Sequence, residues 1–180
     1  MHRPDTLQSA GQFVNLTSGY NGRLLGHNEI DNGQYDHVSD VDLIGGCAMM
    51  VSRKCLEDIG GFDDAFFAFK EDFDLYLRAK TAGFRVVTSP LSRIWHEGGG
   101  SLGKQVSATH MYYSVRNGIL LVEKHKPASN KAFSYARAVC IAGAHTAQVI
   151  LRGPSFAAFR EILRGVHDYY LGVTHARPSH

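Results

Sequence analysis

The stretch that most narrows the fold is VDLIGGCAMMV, residues 41–51, a continuous apolar run of strand length. A strand that is apolar at successive positions has no solvent face and reads as buried on both sides. Its surroundings supply helices to cover it. RKCLEDIG reads as a short helix stopped by Gly60-Gly61, FDDAFFAF as an aromatic-rich connection, and a second helix is expected from about Glu71 to Ala82, with Gly83 just past its end. FRVVTSP and SRIWHE read as two short strands split at Pro90, and GGGSLGK as a flexible loop. From Ser107 onward the pattern is helical, with helices expected over about 107–125, 131–152 and 155–171. The last is opened by Gly153-Pro154-Ser155, placing proline at a favoured start position. The layout is α/β in its first part and all-helical in its last third.

Residues 1–38 are rich in Gly, Asn, Asp and Ser and show little periodicity, reading as a long loop-like segment with turns at Asn21-Gly22 and Asn32-Gly33. Such an opening is unusual for a compact domain and suits the middle of something larger. The expected division is an irregular segment over 1–40, an α/β part over 41–104 and C-terminal helices over 105–180. A formal charge of +2 and the absence of a basic run give no reason to expect nucleic acid as a partner. Cys47, Cys55 and Cys140 form no CxxC pair, so neither a zinc site nor a disulfide framework is indicated, and a reducing, cytoplasmic setting fits. The N-terminal MHRPDTLQSAGQF has no apolar core of a signal peptide. The longest apolar stretch, Ala138 to Leu151, is interrupted by His145 and Gln148 and falls short of the roughly 20 residues that a membrane span requires. Peripheral contact with the inner face of a membrane is compatible with the chain. On the last helix, Phe156, Phe159, Ile162, Leu163 and Val166 recur at helical spacing; such a stripe serves core packing, or a membrane- or partner-facing surface.

Chemistry concentrates in FAFKEDFDLYLRAKTAGFRV, where Glu71, Asp72 and Asp74 fall within four consecutive residues at a helix start. Carboxylates there complement the helix dipole and need no further reason. The neighbouring features add one. The aromatic loop FFAF can wall a pocket, and Trp95-His96 stands just before Gly98-Gly99-Gly100, where backbone can approach a ligand closely.

The segment GGCAMMVSRKCLEDIGGFDDAFFAFKEDFDLYLRAKTAGFRVVTSPLSRIWHEGGGS resembles the acceptor-side half of a family 2 inverting glycosyltransferase, of the rhamnosyltransferase-like group that extends bacterial surface polysaccharides. The likeness is carried by Gly45-Gly46, Arg53, Gly60-Gly61-Phe62-Asp63, Phe66-Phe67, Glu71-Asp72, Asp74-Leu75, Arg78 and Trp95-His96, with Tyr112-Tyr113 and Arg116-Asn117 similar to a following "YYxxRN" helix. It implies a partial GT-A (nucleotide-diphospho-sugar transferase) fold with a C-terminal helical extension. It also implies an acceptor hydroxyl attacking an anomeric carbon and displacing a nucleoside diphosphate, with Asp72 as the base and Glu71 and Asp74 holding local geometry or touching the acceptor. Mg²⁺ or Mn²⁺ would neutralise the leaving phosphates, His96 being similar to the family's histidine ligand. Gly46, Arg53, Phe67, Trp95 and Arg116 would line the substrate and acceptor side. The expected partners are a nucleotide-sugar donor and a glycan or lipid-linked acceptor.

In that family a nucleotide-binding half ending in a DxD precedes this region. Asp40-Val41-Asp42 spells DxD but stands at the start of the apolar run, where the family has its buried acceptor-side strand, and is read as coincidental. The chain is therefore expected to be a C-terminal half that binds donor poorly and is inactive alone, with exposed strand edges that favour association. The alternative is a non-catalytic acceptor-binding or docking module that pairs with a separate nucleotide-binding partner. A small metal-dependent hydrolase built on Asp72, Asp74, His96 and His110 is disfavoured because no HxxxH or HxD pair places ligands together.

Overall fold

A computed structural model describes residues 5–14, 22–96 and 107–174. The GGGSLGK loop and Asn21 of the first expected turn lie outside these residues. The chain forms two compact units, residues 1–62 with 72–96, and residues 63–71 with 97–180.

The first unit is built on short antiparallel pairings. Strand β1 (Gln12–Phe13) pairs with β2 (Arg23–Leu24) in the register Gln12↔Leu24, and β3 (Ser39–Asp40) pairs with β4 (Val87–Thr88) in the register Ser39↔Thr88. Backbone bonds join the two pairs: Leu43 exchanges bonds of 3.0 and 3.1 Å with Gln12, and the Val41 amide donates to the Val86 carbonyl at 3.0 Å. Among the described residues, the opening segment thus pairs more than its composition suggests, Gln12 bonding to Leu43 and Ser39–Asp40 to Val87–Thr88. Val41, Leu43, Tyr76 and Val86 form a core cluster in this unit, each buried side chain contributing about 1.5–3 kcal/mol.

The expected buried strand over 41–51 is corrected: only Val41–Leu43 is flanked by strand-like bonding, and Gly46–Ala48 form a 3-10 turn whose residues are all exposed. Gly45-Gly46 interrupts the run because glycine has no side chain to hold a pleated sheet together. SRIWHE is also not a strand; residues 92–96 are irregular and exposed. Pro90 removes a ladder donor before it, and Arg93 is held instead by Asp31 and Asp36, each at 3.2 Å. Helix α1 (Arg53–Ile59) starts at Ser52, whose hydroxyl accepts from the Cys55 amide at 3.2 Å. Helix α2 (Glu71–Thr81) ends as expected before Gly83, at φ +86°.

The second unit is helical: α3 (Ala108–His125), α4 (Lys131–Arg152) and α5 (Phe156–Tyr170). Ser107, Asn130 and Ser155 cap them, each accepting from the amide three residues on. Ser155 is the cap, so Pro154 lies just outside α5 rather than in its first turn. Helix α3 is the centre, with an unbroken buried run from Met111 to Ile119. Helix α5 lies against it closely enough that a Cβ at Gly165 would fall 2.8 Å from the Tyr112 carbonyl. The Tyr112 hydroxyl donates to Asp168 at 2.9 Å across this contact. Of the stripe on α5, Ile162 is buried, Phe159 and Val166 are half-buried, and Phe156 and Leu163 are exposed.

Candidate active site

Helix α2 begins with its acids and ends with Arg78 and Lys80, so side-chain charge opposes the helix dipole at both ends. The three acids do different things. Asp74 is fully buried and accepts from Arg78 Nε at 2.7 Å. Arg78 spends its other nitrogens on the Ile59 carbonyl at 2.5 Å and the Gly61 carbonyl at 2.6 Å. Asp74 and Arg78 therefore lock α2 to the C-terminal end of α1, which is the physical reason the Gly60-Gly61 and Asp74…Arg78 patterns occur together. Glu71 is the half-buried first residue of the helix.

Asp72 is half-buried, with its Oδ1 accepting from the Phe73 amide at 2.8 Å and its other oxygen turned toward the backbone of Gly46. A Cβ at Gly46 would sit 2.8 Å from Asp72 Oδ2, so the glycine is what lets the exposed 3-10 turn come this close to the carboxylate. Tyr76 is buried one helical turn beyond Asp72, and among the described residues its hydroxyl has no hydrogen-bond partner. Burial pushes the phenol up, and the charges of Asp72 and Cys47 push it further, so it stays protonated. The result is a half-buried carboxylate with a glycine turn against it and a neutral phenol one helical turn on. Chemically it can accept a proton from a hydroxyl laid across the turn.

The other expected site residues are more peripheral. Arg53 is exposed and pairs with Glu57 at 3.3 Å. Trp95 and His96 are exposed, and His96 Nδ1 stands 3.2 Å from Gln8 Nε2. Both carboxylates of Asp40-Val41-Asp42 are occupied. Asp40 makes a two-pronged pair with Arg85 at 2.8 and 2.8 Å, and Asp42 pairs with Lys80 and accepts from the Val14 amide at 2.8 Å. The Arg85 bond holds the Asp40 carboxyl below the usual range. Among the described residues no three His, Cys, Asp or Glu side chains converge, and by themselves they do not fit a divalent cation.

In the second unit, Arg116 and Asn117 organise the aromatic loop. Arg116 is 1% exposed and donates to the carbonyls of Ala65 at 2.7 Å and Phe66 at 3.0 Å. Asn117 Nδ2 lies 2.8, 2.6 and 2.7 Å from the carbonyls of Phe66, Ala68 and Phe69. The loop needs this support because Phe67, Phe69 and Lys70 have φ of 58°, 62° and 73°, a region costly for residues with a Cβ. Phe66 is buried, while Phe67 is exposed and its ring lies 5.5 Å from that of Tyr113. His110 meets Phe69 edge-on at 4.8 Å. The clamping role of Asn117 and the phenol of Tyr76 were not singled out from the sequence. Spacing alone would have flagged Tyr76, four residues after Asp72 on one helix face.

Residues 2–110 match the family described as glycosyltransferase like family 2. This chain belongs to that family. It is similar to the N-acetylglucosaminyl-diphospho-decaprenol L-rhamnosyltransferase of Mycobacterium tuberculosis, in strains CDC 1551 / Oshkosh and ATCC 25618 / H37Rv, at 28% identity over 85 residues. That alignment covers 47% of this chain and 28% of the relative's length. No solved structure matches the chain.

Proposed function

We propose that this protein takes part in transferring a sugar from a nucleotide-sugar donor to a glycan or lipid-linked acceptor in surface-polysaccharide synthesis, with inversion at the anomeric carbon. The observation that carries the proposal is the half-exposed Asp72 carboxylate set against Gly46, inside the segment that matches the family. The acceptor oxygen forms a bond to the anomeric carbon as the bond to the nucleoside diphosphate breaks, and the acceptor proton passes to Asp72. Tyr76, buried one helical turn on, stays a neutral phenol and adds no charge beside the carboxylate. Asp74, with Arg78, fixes the helix that presents it, and Glu71 opens that helix. Arg116 holds the aromatic loop of the second unit, and an acceptor-side role for it and for the exposed Phe67 is an implication of the family likeness. The fold belonging to this reading is part of a GT-A domain with a helical extension, the donor nucleotide being bound mainly by a nucleotide-binding part outside the described residues. Mg²⁺ or Mn²⁺ with His96 as a ligand remains an implication of the family likeness.

The test is transfer of labelled L-rhamnose from a nucleotide-linked donor to an N-acetylglucosaminyl-diphospho-prenol, by the chain alone and with a family 2 nucleotide-binding half added. Transfer that appears with the added half, and that Asp72→Asn lowers by roughly 10²–10⁴-fold, supports the proposal. Near-normal transfer by Asp72→Asn overturns the assignment of the base. Association with the added half without any transfer favours a docking module instead.

A further inference from the structure

Helix α4 reverses the arrangement usual for a surface helix. Its polar groups lie on the half-buried side: Arg137 pairs with Glu123 at 3.4 Å, the Ser134 hydroxyl lies 3.4 Å from that of Tyr170, and His145 and Gln148 are half-buried. Its exposed side is apolar from Ala132 to Leu151, with Phe133, Val139, Cys140, Ile150 and Leu151 separated by alanines, Gly143 and Tyr135. That face is about 30 Å long at the rise of an α-helix. It continues past the turn to α5, where Leu151 and Phe156 are 84% and 83% exposed.

Charge identifies what covers it. No acidic residue occurs from Lys131 to Arg160, and the exposed cations Lys131 and Arg152 stand at the two ends of the face. Arg160 follows one turn into α5, its guanidinium 3.3 Å from the buried Glu161. A second copy of this chain would bring the same cations against each other. An acidic lipid surface complements them. No described helix is long and apolar enough to cross a membrane, so α4 would lie along one.

We propose that the exposed face of α4 and the α4–α5 turn rest on an anionic phospholipid surface, with Leu151 and Phe156 inserted among the lipids and Lys131 and Arg152 at the headgroups. Binding requires no turnover, so its outcome is separate from that of the transferase reading.

The experiment is flotation of the full chain with vesicles of phosphatidylcholine alone or mixed with phosphatidylglycerol. The chain is expected to float with the mixed vesicles, less with the neutral ones, and less again at high salt. Leu151→Glu with Phe156→Glu is expected to lower partitioning by about tenfold or more, because two apolar side chains then no longer enter the lipid. Both positions are exposed, and unchanged helicity by circular dichroism would show the fold is kept. A second readout uses Cys140 at the centre of the face. In a Cys47→Ser background, an environment-sensitive fluorophore on Cys140 should shift to the blue with mixed vesicles. Absence of flotation, flotation unchanged by the double substitution, a label insensitive to lipid, or a stable dimer that the double substitution dissociates would each overturn the proposal.

Discussion

Asn117 shows how much a single side chain carries in this fold. Its amide reaches three loop carbonyls, while three of the residues in and beside that loop hold positive φ. Left-handed backbone costs each such residue about 1–2 kcal/mol, and it persists only where surrounding bonds over-determine it. Asn117→Ala would remove the side-chain donor to the part-buried Ala68 and Phe69 carbonyls, while the Phe66 carbonyl keeps its bond from Arg116. We expect a loss of about 2–4 kcal/mol in unfolding free energy, read from urea denaturation. Asn117→Asp should cost at least as much, since it aims a carboxylate at carbonyl oxygens. A loss below about 0.5 kcal/mol in Asn117→Ala would mean that the loop holds its shape without the clamp. Arg78 follows the same logic, but its Asp74 partner lies one helical turn away and its pattern was visible in the sequence. Arg116 and Asn117 contact carbonyls about fifty positions earlier, and no local pattern specifies that.

At the scale of elements, the pairing of α3 with α4 sets a pH dependence. Burial pushes the His110 imidazole down to about 4, with His145 and Lys70 adding to the shift, and burial lowers His145 as well. His110 is then neutral in the folded protein where an unfolded chain would already take up a proton. Above the ordinary value of 6.5 both states are neutral and the residue costs nothing. As pH falls from there to about 4, the unfolded state binds the proton that the fold refuses, so stability is lost across that window and no further below it. The loss from His110 should be roughly 2 kcal/mol once solvent screening of a half-buried ring is allowed for. Urea midpoints measured across this range should fall for the native chain and fall less for His110→Gln. Equal slopes would remove His110 as the cause. The helices involved were legible to within a residue or so, because caps such as Ser107 and Asn130 and stops such as Gly153 are local signals. The strand expected over 41–51 was not. Its two glycines break the pleat where the turn meets Asp72, a contact made between distant parts of the chain. The apolar positions of α4 were likewise visible, but a repeat along a helix does not say which side the rest of the protein covers.

For the molecule as a whole, the two units differ in how they resist opening, and the difference follows from what each buries. The second unit surrounds α3, whose residues from Met111 to Ile119 are all buried and whose Tyr112 is bonded to Asp168 on α5. Exposing an amide in the middle of that helix means parting it from its neighbours and uncovering Met111, Val115 and Ile119 together. The first unit relies on strand pairs only two residues long and on a small cluster in which Val41, Leu43, Tyr76 and Val86 are buried together. Its amides can open a bond or two at a time at little apolar cost. Hydrogen exchange followed by mass spectrometry should therefore find the slowest peptides in α3, with exchange limited by the unfolding of that unit. Peptides covering β1 to β4 should exchange faster by at least about tenfold, which corresponds to 1.4 kcal/mol of local stability. Added denaturant should speed the strand peptides only slightly and α3 steeply, since only the latter exposes much surface on opening. Strand peptides as slow and as denaturant-sensitive as α3 would rule out piecemeal opening of the first unit. Its short pairings would then be held by far more than their own bonds and the cluster around Val41 and Leu43.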